Sequence, residues 1–475
     1  MINDNYFHSK DFLNRLKQYE DAITAGESVY MEPDELTDIA EYYHINNQLE
    51  QAVQAVNYAL TLFPGSTLPL VFKARWELLK NNEAAKANEY AELIEDKSDL
   101  EYHYIKAEIL IYNKDFATAE HYLQQTYETL DDEEKEDFAI DIAHLYADYG
   151  EHSYAEYWLH LSSDVTSPEY RELKGKLAMN AGNYEECEEI FQSLLDEDPY
   201  SNPYWNQLAS SQFMHNNIIG SIESSEFSIA INPDDEEALL NKANGMFSLG
   251  RFEEALKYYK RFSELHQIDE TGYILQGITL FNMDRNDEAL ECFREAERKA
   301  EKDSANLTEI YQEMAFTLSK LNRLDEALEY VEKGKQLAQT DENEQEVLKG
   351  HLLLENGRLQ EAQNCFMQAL IHSESDPSIY LRVSISLYDN GYIILAYKML
   401  KKLLDITPST WTEGYALLAK CCHLLGKEEE FTSTLAKVSQ LNPEDARSVL
   451  GDLFPAELSP TEYYDYYIQH NNTKK

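Results

Sequence analysis

The densest group of residues able to bind a metal or act as nucleophiles is Cys421-Cys422-His423. Thiolate and imidazole are ligands that zinc prefers, but a structural zinc site needs four ligands, with two or more residues between some of them. Adjacent cysteines point to different sides of a helix, so we interpret this pair as core residues. The sequence therefore predicts neither a metal site nor a cofactor.

Other arrangements that could support catalysis are missing from the sequence. His144, His152 and His160 are evenly spaced, but they fall on different predicted helices and are not expected to converge. There is no glycine-rich phosphate loop, paired-histidine zinc helix or nucleophile elbow. Carboxylate pairs are so frequent that their presence carries no information about acid–base chemistry. We therefore predict no catalytic residues and a protein that is not an enzyme.

The elements that carry these residues follow a repeat. A small residue returns about every 34 positions. In most repeats a second small residue lies 12 positions after the first. A period in this range is typical of stacked helical hairpins, because two helices cross closely only where side chains are small. The first series consists of Ala40, Ala74, Ala107, Ala143, Gly175, Ala209, Ala243, Gly277, Ala315, Gly350, Ser384 and Ala419. Lys86 and Phe431 interrupt the second series.

The clearest copies of the repeat are residues 202–235 and 236–269. Their signature positions hold Trp205, Leu208, Ala209, Ser221, Ser228 and Pro233 in the first copy, and Leu239, Ala243, Gly250, Phe252, Ala255 and Tyr259 in the second. This pattern resembles the tetratricopeptide repeat (TPR) family, in particular a large multi-repeat bacterial-type protein without an appended catalytic domain. The copy at residues 67–99 departs most from the pattern, because its register is lost over residues 81–87.

The resemblance implies an all-α fold, a right-handed superhelical solenoid of about twelve TPR-like hairpins with short helical caps. We expect an amino-terminal capping helix within residues 1–32, one continuous array over residues 33–445, and a carboxyl-terminal helix with a tyrosine-rich tail over residues 446–475. Ser9 is the predicted cap of the first helix. The tail either docks a partner or folds onto the last repeat, and we favour folding.

The charge balance is strongly acidic, with 40 Lys and Arg against 88 Asp and Glu, a net charge of −48. Such a field repels nucleic acid and anionic membranes, so neither is a predicted partner. It would attract a basic protein or peptide. The alternative is that the acids form a solvated outer face that keeps the particle soluble.

Location and assembly are less constrained. The amino terminus lacks the basic and apolar segments of a targeting signal, and no stretch approaches the ~20 apolar residues of a membrane span. Five cysteines, an odd number, agree with a reducing compartment. We therefore expect a cytoplasmic protein. The oligomeric state stays open.

The resemblance also implies a binding groove, because the first helix of each TPR unit lines the inner surface. The groove positions of the middle units combine amides with large apolar side chains. Amides can bond an extended peptide backbone as donor and as acceptor. The predicted peptide-binding residues are Asn206, Gln207, Phe213, Asn241, Asn244, Phe247 and Phe281. The alternative is that the phenylalanines recur for packing and the asparagines cap or solvate their helices.

The predicted function is a non-catalytic scaffold or adaptor that holds a protein segment or peptide in this groove. The alternative is a regulatory sensor whose superhelix responds to a small peptide or metabolite. A clamp for a terminal carboxylate, known from some TPR proteins, is not expected here. Asn244 matches that motif, but Leu240 stands where the motif needs lysine. The sequence does not identify the partner.

Overall fold

The computed structural model describes residues 4–471, apart from positions 268, 303, 339 and 409. Throughout this part of the chain the residues form helices and short connections, without a strand. The predicted all-α class is therefore confirmed. Residues up to Asn217 form one compact unit, and residues from Ile218 onwards form a second. The ends of the predicted terminal regions, residues 1–3 and 472–475, lie outside the described residues.

The first unit contains a short helix, a longer capping helix and then paired helices. Hairpins are formed by α3 with α4, α5 with α6, α7 with α8, α9 with α10, and α11 with α12. The helices are α1 Asp4–Phe7, α2 Lys10–Ala25, α3 Pro33–Ile45, α4 Leu49–Leu62, α5 Thr67–Leu79, α6 Ala84–Glu92, α7 Leu100–Tyr112, α8 Phe116–Thr129, α9 Asp132–Asp148, α10 His152–Leu159, α11 Pro168–Asn180, α12 Tyr184–Glu197 and α13 Asn202–Met214.

The second unit continues the same alternation. Its hairpins pair α15 with α16, α17 with α18, α19 with α20, α21 with α22, α23 with α24, and α25 with α26. The helices are α14 Ile218–Ile231, α15 Glu236–Ser248, α16 Phe252–Leu265, α17 Thr271–Asn282, α18 Asn286–Lys299, α19 Leu307–Lys320, α20 Leu324–Lys335, α21 Glu342–Glu355, α22 Leu359–His372, α23 Pro377–Asp389, α24 Ile393–Ile406, α25 Tyr415–Leu424, α26 Glu428–Leu441, α27 Pro443–Leu450 and α28 Tyr463–Asn471, with 3-10 turns at Gly451–Leu453 and Pro460–Glu462.

A left-handed residue ends the first helix of each hairpin. In the α23–α24 hairpin this residue is Gly391, whose φ is +80°. Its N–H donates a hydrogen bond to the Tyr388 carbonyl, and the N–H of Tyr392 donates to the Leu387 carbonyl. This double closure satisfies the carbonyls at the end of the helix and turns the chain sharply into the next one. The equivalent position holds Gly, Asn, Asp or Lys in the other repeats, and these residue types mark the turn in the sequence. These residues are Asn47, Lys114, Gly150, Gly182, Asn216, Gly250, Asp284, Asn322, Gly357 and Gly426.

The irregular second hairpin differs from the others by one residue in its turn. Helix α6 has 9 residues, and its buried contact is made by Ala87 rather than by Lys86. The left-handed residue of this turn, Asn82, is likewise displaced by one position. The predicted loss of register is therefore confirmed, and its cause is the longer turn before a shortened helix.

The described part of the chain begins and ends with helices. In α2, Ser9 accepts a hydrogen bond from the Phe12 N–H at 3.2 Å, as expected of a helix cap. At the other end, Tyr463 is 3% exposed and stacks on Phe454 with 4.1 Å between ring centroids. Tyr467 packs edge-on against Phe431 at 4.8 Å. The tyrosine-rich tail therefore folds onto the last repeat, the alternative that we favoured.

Candidate peptide-binding surface

The predicted site residues lie on the first helices of three consecutive repeats, but they divide between the two units. Asn206, Gln207 and Phe213 belong to α13 in the first unit. Asn206 is only 3% exposed, so its side chain offers little surface, whereas Gln207 and Phe213 are half-buried. The other residues lie in the second unit, on α15 and α17.

Asn244 is the most clearly positioned of these residues. Its Oδ1 accepts a hydrogen bond of 2.7 Å from the Tyr259 hydroxyl, which comes from the paired helix α16. Because Tyr259 is only 2% exposed, this contact fixes the orientation of the amide from beneath. The half-buried amide group then presents its Nδ2 hydrogens as donors, since the carbonyl oxygen is already engaged. Asn241, one turn earlier on α15, is also half-buried.

Phe247 and Phe281 are anchored in the cores of their own hairpins. Phe247 packs edge-on against Phe252 at 5.2 Å, and it borders the buried cluster that includes Tyr259. Leu240 and Leu275 border the same cluster, so the facing sides of α15 and α17 meet around it. Phe281 borders the cluster of the following hairpins. Both rings are half-buried, so each one combines a packing role with a remaining accessible surface.

A polar network that was not predicted from the sequence joins α19 and α21. The Ser319 hydroxyl donates to Glu355 at 2.6 Å and accepts from the Asn356 amide at 2.8 Å. Lys320 forms an ion pair with Glu355 at 2.5 Å. Burial opposes ionisation of Glu355, but the hydrogen bonds from Lys320 and Ser319 outweigh it, so its pKa is lowered. The network ties consecutive first helices together with charge-assisted bonds.

Two titratable groups on the same helices lack such compensation. Burial, with help from the neighbouring carboxylate of Glu309, raises the pKa of Glu313 to about 7. Burial lowers the pKa of His351, whose ring packs edge-on against Phe316 at 5.7 Å. The His351 Nδ1 lies 3.2 Å from the Ser386 hydroxyl. The pKa values of Glu313 and His351 are therefore set mainly by burial rather than by an ion-pair partner.

The adjacent cysteines Cys421 and Cys422 lie in the core. Cys421 and Cys422 are both fully buried, which confirms our interpretation of this pair. Burial raises the pKa of Cys421 to about 12 and that of Cys422 to about 11, so both thiols stay protonated at neutral pH. Among the described residues, no three His, Cys, Asp or Glu side chains are grouped closely enough to hold a metal ion.

No helix in the described part of residues 4–471 is both long enough and apolar enough to cross a membrane.

Comparison with known families identifies the repeat. The family model described as tetratricopeptide repeat matches residues 308–341 and 347–370. These segments cover the α19–α20 hairpin and most of the α21–α22 hairpin. The first segment begins at residue 308, seven residues before Ala315, just as the copy at residues 202–235 begins seven residues before Ala209. No curated protein sequence matches the chain significantly.

Solved structures of MamA are similar to about a third of the chain. One MamA crystal structure is 17% identical over 34% of this chain and 92% of its own, with a TM-score of 0.32. MamA AMB-1 is 21% identical over 35% of this chain and 96% of its own, with a TM-score of 0.32. MamA from Desulfovibrio magneticus RS-1 is 13% identical over 36% and 96%, with a TM-score of 0.34.

Repeated helical hairpins of similar length, most of them joined by equivalent turns, define the class of α-helical repeat proteins. With the family match, residues 308–341 and 347–370 of the chain are tetratricopeptide repeats. Proteins of this kind bind other proteins, so the chain is a protein-interaction scaffold in that general sense.

Proposed function

We propose that this protein is a non-catalytic scaffold that binds an extended protein segment on the α15–α17 surface, defined by Asn241, Asn244, Phe247 and Phe281. The observation that carries the proposal is the hydrogen bond from Tyr259 to Asn244. A buried hydroxyl that fixes a surface amide lowers the entropy lost when that amide bonds a ligand. The peptide carbonyl is the acceptor that such a donor fits.

The apolar side chains beside the amides supply the second part of the proposal. Phe247 and Phe281 are held by their cores, so they do not lose rotamer freedom on binding. Half-buried rings of this kind resemble the rigid anchors that dominate many interfaces. An extended segment with apolar side chains spaced along it would contact the rings while its backbone bonds the amides.

The residues of α13 form a separate part of the proposal. Gln207 and Phe213 are the accessible members and would provide contacts of the same two types within the first unit. Since Asn206 is buried, we expect its replacement to act through packing of α13 rather than through a lost ligand contact.

The charge and thiol content support the wider proposal. A net charge of −48 disfavours nucleic acid and anionic lipids as partners and favours a basic protein. The five cysteines are unpaired, which agrees with a reducing, cytoplasmic location. Burial raises the pKa of all five thiols, which argues against their use as nucleophiles.

The test is to select peptides from a random display library on the full-length protein and to measure the Kd of selected peptides. Asn244→Ala and Phe247→Ala should each weaken binding by about tenfold, which corresponds to about 1.4 kcal/mol. Tyr259→Phe keeps the ring but frees the amide, so it should weaken binding by a smaller factor.

Matched control variants lie on α22 of the same unit. Asn364 is exposed and Met367 is 55% exposed, and both lie on the second helix of a hairpin. Asn364→Ala and Met367→Ala should leave the Kd within about twofold. If selected peptides bind equally to all five variants, the α15–α17 surface is not the binding site.

A further inference from the structure

His266, at the end of α16, lies between two carboxylates that belong to different parts of the second unit. Its Nδ1 is 2.6 Å from Oε2 of Glu236, the first residue of α15. Its Nε2 is 3.3 Å from Oδ2 of Asp269, which precedes α17. The ring also stacks on Phe262, with 5.1 Å between centroids. We name His266, Glu236 and Asp269 the His266 clasp.

The two contacts of the imidazole require a protonated ring. An ionised carboxylate only accepts hydrogen bonds, and a neutral imidazole can donate from one nitrogen only. A neutral ring would therefore turn the lone pair of one nitrogen towards a carboxylate. In the protonated ring both nitrogens donate, and both bonds are charge-assisted. The geometry thus fits the imidazolium form of His266.

The electrostatics of the clasp agree with its geometry. Burial opposes protonation of His266, but the hydrogen bonds and charges of Glu236 and Asp269 outweigh it, so its pKa is raised above 6.5. Burial also opposes ionisation of Asp269, but the Thr271 N–H and the His266 ring lower its pKa. Asp269 therefore stays ionised throughout the range in which His266 titrates.

Asp269 connects the clasp to the first turn of α17. Its Oδ1 accepts the N–H of Thr271, the first residue of the helix, at 2.9 Å, while Oδ2 faces His266. The following turn is held separately, because the Gln276 amide donates to the Ser263 hydroxyl of α16 at 2.8 Å. Loss of the contact with His266 would therefore affect the start of α17 rather than the whole helix.

Glu236 and Asp269 are the charged groups bonded to His266 within the described part of the chain. Three further charged groups lie on the same or neighbouring elements, and each has another partner. They are Arg261 of α16, which pairs with Asp234 at 3.0 Å, Lys299 of α18, which donates to the Gln267 carbonyl at 2.9 Å, and Glu270, which accepts from the Asn306 amide at 3.0 Å.

We infer that the His266 clasp is a proton-dependent device that holds the first turn of α17 while the imidazole is protonated. When the proton leaves to water, the shorter bond to Glu236 keeps the remaining N–H, and the Nε2 lone pair then faces Asp269. Repulsion between them releases Asp269 and loosens the start of α17. The stabilisation is complete below about pH 6.5 and is lost as the pH rises through the raised pKa of the folded state.

The clasp also bears on the surface discussed above, because α15 and α17 carry the proposed peptide-binding residues. Opening of the clasp would change how the start of α17 is held beside α15. This consequence rests on the proposed function, whereas the clasp itself does not. The test uses no peptide, so the two proposals can fail separately.

The first measurement is an NMR titration of the full-length protein, with ¹³C-labelled histidine, between about pH 5 and about pH 9. The signal that disappears in His266→Gln should titrate above 6.5 in the wild type. Glu236→Gln and Asp269→Asn should each lower this pKa, because each removes a charge that favours the imidazolium. A His266 pKa at or below 6.5, or one that neither replacement changes, overturns the inference.

Hydrogen exchange then tests the release of α17. After correction for the intrinsic pH dependence, wild-type amides of residues 270–274 should exchange at least about threefold faster at about pH 8.5 than at about pH 5.5. His266→Gln should show the faster rate at both pH values. In Asp269→Asn, the Nδ2 group can donate to the neutral imidazole while Oδ1 still accepts the Thr271 N–H, so exchange should stay slow at the higher pH.

The matched control is His372→Gln, at an exposed histidine of α22. It should keep the pH dependence of the wild type, and circular dichroism at the lower pH should show that all variants are folded. Equal corrected exchange rates of residues 270–274 at both pH values in the wild type would refute the clasp. The same holds if His372→Gln changes these rates as His266→Gln does.

Discussion

Gly277 lies directly against the ring of Phe293, which follows it by sixteen residues on the paired helix α18. A Cβ atom at position 277 would stand 2.5 Å from Cε1 of the ring. The same relationship joins Gly175 with Phe191, at 2.7 Å. A phenylalanine on the second helix thus requires glycine on the first, whereas Ala243 is paired with Tyr259 without such a demand.

Gly277→Ala should therefore destabilise the protein. Alanine is favoured over glycine within a helix by about 1 kcal/mol, but overpacking of a tight core costs typically 1–3 kcal/mol. Because Phe293 is fully buried and cannot move into solvent, we expect the packing cost to prevail. Urea denaturation should show a lower midpoint with an unchanged slope.

The compensating variant is Gly277→Ala combined with Phe293→Leu. The smaller side chain makes room for the methyl group. Gly277→Ala should therefore lower the free energy of unfolding less in the Phe293→Leu background than in the wild-type background. An increase in stability on Gly277→Ala in the wild-type background would contradict this account of the close contact.

The helical hairpins could be predicted because their signal is repeated. A small residue such as Gly277 is weak evidence alone, but the same position in successive repeats fixes the register. The pairing of Asn244 with Tyr259 could not be predicted, since a side-chain hydrogen bond depends on rotamers that the repeat pattern does not specify. The burial of Asn206 was missed for a similar reason: position within a helix gives the direction of a side chain, but not what covers it.

Glu313 should make stability depend on pH. Its pKa is about 7 in the folded protein and 4.5 in an ordinary glutamate, so the folded state holds the proton more tightly. Below about pH 4.5 the group is protonated in both states and costs nothing, while above pH 7 its ionisation opposes folding. Glu313→Gln should thus be more stable than the wild type by about 1–3 kcal/mol at pH 8 and equal to it at pH 4.

The pH dependence is checked by denaturation curves of both proteins between pH 4 and pH 8.5. Glu309→Gln removes the neighbouring charge and should reduce the effect partially. Glu301→Gln, at an exposed carboxylate, serves as the control and should follow the wild type. A stability difference between Glu313→Gln and the wild type that stays constant with pH would show that Glu313 ionises normally.

Tyr463 should be essential for the carboxyl-terminal cap. It is 3% exposed, and its ring lies almost parallel to Phe454, with an interplanar angle of 9°. Replacement of a buried aromatic residue by alanine costs about 3–5 kcal/mol, so Tyr463→Ala should release α28 or unfold the last repeat. Limited proteolysis should then cleave near residue 455 earlier than in the wild type.

The control for this prediction is Gln469→Ala, at an exposed position of the same helix. It should leave both the cleavage rate and the melting temperature unchanged. Equal protease resistance of Tyr463→Ala and the wild type would mean that the aromatic stack does not hold the tail.

The left-handed turn that ends the first helix of each hairpin also bears on how the chain is made. Within each unit, the turn brings the second helix of a hairpin back onto the first, and close packing joins helices adjacent or nearly adjacent in sequence. Low contact order of this kind favours rapid folding, because short loops lose little entropy on closure. A growing chain on the ribosome could therefore bury each hairpin soon after it emerges, and a synthesis pause would leave little apolar surface awaiting a distant partner.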